Sequence, residues 1–274
     1  MTTTPTPGFV PGTPRIAYEV AGRGETVIFM HGIGGNRSNW REQVAACAGE
    51  FRALAWDARG YGDSDDYEED LAFPMFATDL LRLLDHLGVA KAHLCGLSMG
   101  GRIALDFYEA HPGRVASLVL CDTFPGYDAS ITDEQREKFI QSRQQPLLEG
   151  KEPKDIAPVV APTLLSKGAS AASLQRLVDS MTALHKESYL KAIAAMTRYA
   201  PVAKLADVKV PTLVICGDED KLTPPAVSKQ MAETIPGAQL AILEQAGHLS
   251  NIEQPAAFNA VLLEFLRAQP ASSR

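Results

Sequence analysis

The sequence predicts an α/β fold: a mostly parallel sheet with helices on both faces and an inserted helical cap. Three observations carry that expectation. Short apolar runs alternate with amphipathic helical stretches, the pattern of βαβ units. The alternation stops between Asp122 and about Asp207, where only helical periodicity remains. Residues Gly96-Leu97-Ser98-Met99-Gly100 stand where a short apolar run meets a helical pattern, so a strand must turn into a helix within a few residues.

The elements follow in order. Residues 1–8 are rich in Thr and Pro and lack the basic region and apolar core of a signal peptide, so they read as a disordered lead. Residues 26–30 are a continuous apolar run and predict a strand. The glycine-rich His31-Gly32-Ile33-Gly34-Gly35 follows. Helical patterns cover residues 39–49, 72–87 and 99–110, with strands at 93–95 and 115–121 between and after them. Helical patterns resume at 133–145, 171–184 and 187–199, punctuated by Pro146, Gly150, Pro153, Pro158, Pro162 and Gly168. The β-branched run 210–216 predicts a strand buried on both faces. A helix at 225–235, a strand at 239–243 and a helix opened by Pro255 complete the chain. The expected division is a core of residues 1–122 and 208–274 with a cap of residues 123–207.

The chemistry centres on Ser98. Glycines flank it because a strand-to-helix turn this tight leaves no room for side chains beside it, which exposes the hydroxyl at the apex. The N–H of Met99 opens the next helix and points at a developing oxyanion. The glycines after His31 let the backbone approach a carbonyl, so the Ile33 N–H is the candidate second donor. A serine needs a base and an orienting acid. His248 follows a strand and a turn, in a loop at the carboxyl end of the sheet where such folds place ligands. His185 lies in a helical stretch and reads as a surface or packing residue. Asp220, in Gly217-Asp218-Glu219-Asp220, is the candidate acid. Asp122, at the end of its strand, is the rival. His31 reads as a structural tie. Trp40, just after the glycine loop, is a candidate pocket residue or a core residue.

Composition bounds the rest. The chain has 274 residues, is 46% hydrophobic, and carries a net charge of −7, so no basic surface argues for nucleic acid or anionic membrane. No apolar stretch approaches the ~20 residues of a membrane helix. The four cysteines show no metal spacing and read as free thiols in a reducing compartment, which predicts a cytoplasmic protein. No metal or organic cofactor is implied. The expected partner is a small-molecule substrate, and the chain is equally compatible with a monomer or a homo-oligomer.

His31-Gly32-x-Gly34, Asp57-Ala58-Arg59-Gly60-Tyr61-Gly62-Asp63-Ser64, the Ser98 turn, Gly217-Asp218-Glu219-Asp220 and Gly247-His248 together resemble the α/β-hydrolase superfamily. Residues 95–101, 118–123 and 248–255 resemble 3-oxoadipate enol-lactonases, although the middle segment departs from their aromatic-rich cap. The resemblance implies Ser98, Asp220 and His248 as a triad, Ile33 and Met99 as oxyanion donors, and a structural turn at Asp57–Ser64. It implies a serine hydrolase of small esters or lactones. C–C bond hydrolases of meta-cleavage products use similar groups, but there Trp usually follows the base histidine, where this chain has Leu249. A perhydrolase side activity and a non-catalytic ligand-binding protein on this fold are also compatible with the resemblance. An enol-lactone carries a free carboxylate, so a cap arginine is a candidate partner for it. Arg136 and Arg143 lie seven residues apart, two turns along one helix face.

Overall fold

The computed structural model describes residues 4–126, 132–199 and 204–270. Its centre is an eight-stranded sheet: β1 (Thr6–Val10), β2 (Ile16–Ala21), β3 (Thr26–Met30), β4 (Arg52–Trp56), β5 (Ala92–Leu97), β6 (Val115–Cys121), β7 (Thr212–Gly217) and β8 (Gln239–Leu243). The spatial order is β1-β2-β4-β3-β5-β6-β7-β8. The pairs β1/β2 and β2/β4 are antiparallel, and every other pair is parallel. Strands β3 and β5 are buried along their whole lengths, as helices on both faces require.

The edge strand β1 corrects the reading of the N-terminal segment. Residues 6–8 pair with β2 instead of forming a lead; residues 1–3 lie outside the described residues. Proline is tolerated at a sheet edge, where its missing N–H interrupts no central ladder, so Pro7 is not an obstacle.

The core helices are α1 (Arg41–Cys47), α2 (Pro74–His86), α3 (Met99–Ala110), α8 (Pro225–Thr234), α9 (Ser250–Glu253) and α10 (Pro255–Arg267). The helical pattern at 39–49 splits. A single tight turn, Arg37–Trp40, is capped by the Asn36 side chain, and α1 follows it. Trp40 is fully buried in the core, its ring 5.1 Å from Phe29 and 6.0 Å from Phe258.

Between β6 and β7 lie α4 (Asp133–Leu148), α5 (Pro153–Leu164), α6 (Ala171–Thr182) and α7 (Lys186–Arg198). Thr132 and Gln135 form a reciprocal capping box on α4. Two readings change here. Helix α4 runs through Pro146, and α5 contains Pro158 and Pro162 where breaks were expected. A proline frees the carbonyl four residues earlier. In α5 those carbonyls belong to Lys154 and Pro158, both exposed residues, so the lost bonds are not in the core. Among the described residues no helix is long and apolar enough to cross a membrane. The four cysteines are buried and unpaired.

At the start of α3 the packing leaves no room for a side chain. A Cβ built on Gly100 would overlap the backbone of Met30, and one on Gly96 the backbone of Gly100. We predict that Gly100→Ala destabilises the fold by about 2–3 kcal/mol, as overpacking does. In calorimetry this appears as a Tm lowered by ~5 °C. An unchanged Tm would mean that α3 can retreat from β3 at no cost.

Candidate active site

Ser98 sits between β5 and α3 with φ 53° and ψ −113°, a strained conformation for a residue with a side chain. Its backbone is held from β6 and the residues after it. The Ser98 N–H donates to the Cys121 carbonyl at 2.9 Å, and the Thr123 hydroxyl donates to the Ser98 carbonyl at 2.6 Å. Met99 is the first residue of α3, so its N–H has no intrahelical partner. Gly32 packs against Leu97 and Ser98, which brings the glycine loop beside the serine.

The His31 ring ties that loop down. Its Nδ1 bonds the Gly32 carbonyl at 2.8 Å, and its Nε2 accepts from the Ala58 N–H at 3.1 Å. Those contacts suit the neutral imidazole, and burial lowers the His31 pKa below its ordinary value. The turn at Asp57–Ser64 is also structural. Asp57 pairs with Arg37 and accepts from the Asp63 N–H, while Ser64 donates to the Asp57 carbonyl and accepts from Ala17. His185 is a packing residue: it bonds Asp66 and the Gly62 carbonyl, pinning α7 to this turn.

His248 and Asp220 meet at the carboxyl ends of β8 and β7. His248 Nδ1 lies 2.9 Å from Asp220 Oδ2, and both residues are buried. Asp220 also accepts from the Thr223 hydroxyl at 2.6 Å and from the backbone N–H groups of Leu222 and Thr223. Burial opposes ionisation of Asp220, but the bonds from His248 and Thr223 outweigh it and hold the carboxyl below its ordinary value. Burial likewise opposes charge on His248. The bond and charge of Asp220, with Asp122 adding to them, raise its pKa above the usual imidazole value.

Asp122 occupies a different place. It does not bond the imidazole. Its Oδ1 accepts from the Gly217 N–H at 2.9 Å, and its Oδ2 accepts from the Ser250 hydroxyl. Burial and the neighbouring Asp220 push its carboxyl up to about 7, against the opposing pull of His248 and Ser250. Asp122, Cys216 and Asp220 cluster closely enough to suggest metal ligands. The carboxylate oxygens there already accept N–H and O–H donors, and burial pushes the Cys216 thiol up to about 12, so the set is a hydrogen-bond network. Thr223, Ser250 and Glu253 belong to this site and escape sequence reasoning. Glu253 accepts from the Gly247 N–H and from the Ser166 N–H of the inserted segment.

Ser98, His248 and Ile33 line one cavity of about 870 Å³, roofed by the inserted helices. Of the candidate substrate residues only Arg143 reaches it. Trp40 does not, because it fills the core beneath; Asn39 lines the cavity in its stead. Arg136 does not, because it is paired with Asp133 one turn back on α4.

The family model for the alpha/beta hydrolase fold matches residues 25–255. The chain belongs to the alpha/beta-hydrolase family. It is 31% identical over 249 residues to a provisionally assigned carbamate hydrolase, RutD, of Pseudomonas savastanoi, covering 89% of this chain and 94% of that one. It is 28% identical over 250 residues to 3-oxoadipate enol-lactonase 1 of Acinetobacter baylyi, covering 88% of each. It is 31% identical over 270 residues to the 2-hydroxy-6-oxononadienedioate/2-hydroxy-6-oxononatrienedioate hydrolase of Paraburkholderia phymatum, covering 92% and 91%. Among solved structures, a thermophilic esterase from Thermogutta terrifontis superposes with a TM-score of 0.85 at 29% identity, covering 96% of this chain and 98% of that one.

The Asp122 carboxylate is close enough to His248 to favour the imidazolium. Replacing it by the isosteric amide keeps the shape and removes the charge. We therefore predict that the His248 ring, followed by NMR, titrates at lower pH in Asp122→Asn than in the unaltered protein. An unmoved midpoint would show that the Asp122 charge does not reach the ring.

Proposed function

We propose that this hydrolase-family chain is a serine hydrolase that cleaves a small carboxylic ester or lactone through an acyl-enzyme. The observation that supports this reading is the Asp220–His248 bond set behind the cavity that Ser98 lines. Asp220 occupies Nδ1, which leaves Nε2 of His248 as the nitrogen available to take a proton. Ser98 attacks the substrate carbonyl as His248 removes its proton. The N–H groups of Ile33 and Met99 hold the oxyanion, each typically worth about 3–4 kcal/mol in the transition state. Asp220 keeps the imidazole in its working tautomer and stabilises its charged form. The alcohol leaves with the proton from His248; water, activated by the same nitrogen, then releases the acid.

The C–C hydrolase reading uses the same groups and is supported by the 31% identity to the Paraburkholderia phymatum enzyme. Leu249 lines the cavity next to His248, at the position where C–C hydrolases usually carry Trp, and so favours the ester reading.

Ser98→Ala and His248→Ala are each expected to lower kcat by about 10⁴-fold or more, because the groups act as a unit. Asp220→Asn is expected to cost about 10⁴-fold by admitting the wrong tautomer. The assay is a panel of aryl esters, enol-lactones and dienone acids, with fluorophosphonate labelling of Ser98 as the substrate-independent check. Retention of a tenth of the activity in Ser98→Ala removes the mechanism. A larger loss in Asp122→Asn than in Asp220→Asn reassigns the acid. On the acid side, kcat/KM falls as pH drops through the raised pKa of His248, since only the neutral ring accepts a proton.

A further inference from the structure

The cavity beside Ser98 runs from buried groups to open ones. Ser98 and His248 line it at 5% and 4% exposed, while Gln230 and Thr234 of α8 line it from the protein surface. Four residues of α8 belong to its wall: Val227, Gln230, Met231 and Thr234. Their spacing is i, i+3, i+4, i+7, so a single face of the helix is turned to the cavity along most of its length. Helix α5 adds Val160 and Leu164, one turn apart.

Both helices are rooted at the imidazole. The carbonyl of Leu164, the last residue of α5, accepts from the His248 N–H at 2.7 Å. Thr223, two residues before α8, places its hydroxyl 3.3 Å from His248 Nδ1. Leu222 lies beside Thr223 in the same wall and donates its N–H to Asp220, yet the residue is 47% exposed. Val227, which follows it in the wall, is half-buried. An exposed leucine beside a half-buried valine gives the cavity an apolar lip, which a hydrocarbon arriving from water leaves solvent to meet.

The helix sets a length. From Val227 to Thr234 the wall runs seven residues, about 10 Å along the helix axis. An extended chain advances roughly 1.2 Å per bond, as a peptide does over its three bonds per residue, so the wall spans about eight carbons. The chemistry sets which chain lies there. In ester cleavage His248 gives its proton to the leaving oxygen, which must come within about 3 Å of the ring. The carbonyl oxygen goes to the N–H groups of Ile33 and Met99. It is therefore the alcohol chain that starts where α5 and α8 are rooted.

We propose that the inner face of α8 is a channel for the alcohol part of the substrate, which is then an ester of a straight-chain alcohol of about eight carbons, or a lactone with an alkyl chain on its carbinol carbon. The substrate rests on the proposed ester hydrolysis, but the channel is testable without it.

The test uses isomers. Octyl acetate and ethyl octanoate share one formula and differ in which side of the ester carries the long chain, so hydrophobicity alone does not separate them. In a pH-stat assay octyl acetate is expected to have the larger kcat/KM by about 10-fold or more, and alkyl acetates to gain about 3-fold per added methylene up to octyl and then level off. Val227→Trp narrows the channel near its root, and Leu222→Gln makes its exposed lip polar without touching the core. The ratio of octyl to ethyl acetate should fall about 10-fold in Val227→Trp and several-fold in Leu222→Gln. Equal kcat/KM for the two isomers, a preference for ethyl octanoate, or a ratio unmoved in either variant overturns the channel. Calorimetry of 1-butanol and 1-octanol on Ser98→Ala, with and without Val227→Trp, reads it without turnover. Binding that tightens with chain length and is lost in Val227→Trp supports the channel even if neither ester is cleaved; no binding, or binding indifferent to chain length or to Val227, overturns it.

Discussion

The candidate site depends on one junction, the three residues Cys121-Asp122-Thr123 at the end of β6. Ser98, Asp220 and His248 come from loops after β5, β7 and β8, and nothing in the chain order keeps them together. The junction does so by hydrogen bonds. The Cys121 carbonyl and the Thr123 hydroxyl hold the Ser98 backbone on both sides. The Asp122 carboxylate holds Gly217, where the loop bearing Asp220 begins, and Ser250, two residues beyond His248. Asp122 itself adopts φ 43°, an uncommon conformation for a residue with a Cβ. Its burial beside Asp220 raises its pKa from the ordinary 3.8 to about 7. A raised carboxyl favours folding while protonated, and that contribution is lost as pH rises from about 4 through about 7. Strain and unfavourable charge are thus concentrated where the three loops meet, the common location for local rules to be broken.

Much of this arrangement was legible in the sequence, for physical reasons. The central strands announce themselves because burial on both faces demands unbroken apolar runs: residues 26–30 and 115–121 are strands end to end. The turn around Ser98 is legible because only glycine fits against the Met30 backbone. The failures also have causes. β1 hides because an edge strand tolerates the Thr-Pro composition that elsewhere marks coil. Helix α5 hides because Pro158 and Pro162 free carbonyls on a wet face. Trp40 could not be placed, since an aromatic residue after a loop serves a core or a pocket equally well. Arg136 and Arg143 share a helix face, but periodicity does not say which turn lies over the cavity. Thr223, Ser250 and Glu253 carry no spacing signal at all; they are ordinary polar residues until the loops converge.

The inserted helices are held to the core at many separate points. The His248 N–H donates to the Leu164 carbonyl, Glu253 bridges Gly247 and Ser166, and Glu219 accepts from Lys167. On the far side Arg176 grips the Ser38 carbonyl and Glu42, and His185 grips Asp66. Arg102, on the helix that begins beside Ser98, donates to the carbonyls of Met196 and Tyr199 at the end of α7. Those bonds run through backbone and framework side chains. Leu164 and Met196 also line the cavity, but they are fastened through their backbone carbonyls, which leaves their side chains to form the wall. Position and selectivity are therefore carried by separate groups. The wall can change its apolar shape or its charge while the bonds that seat the roof over Ser98 stay as they are.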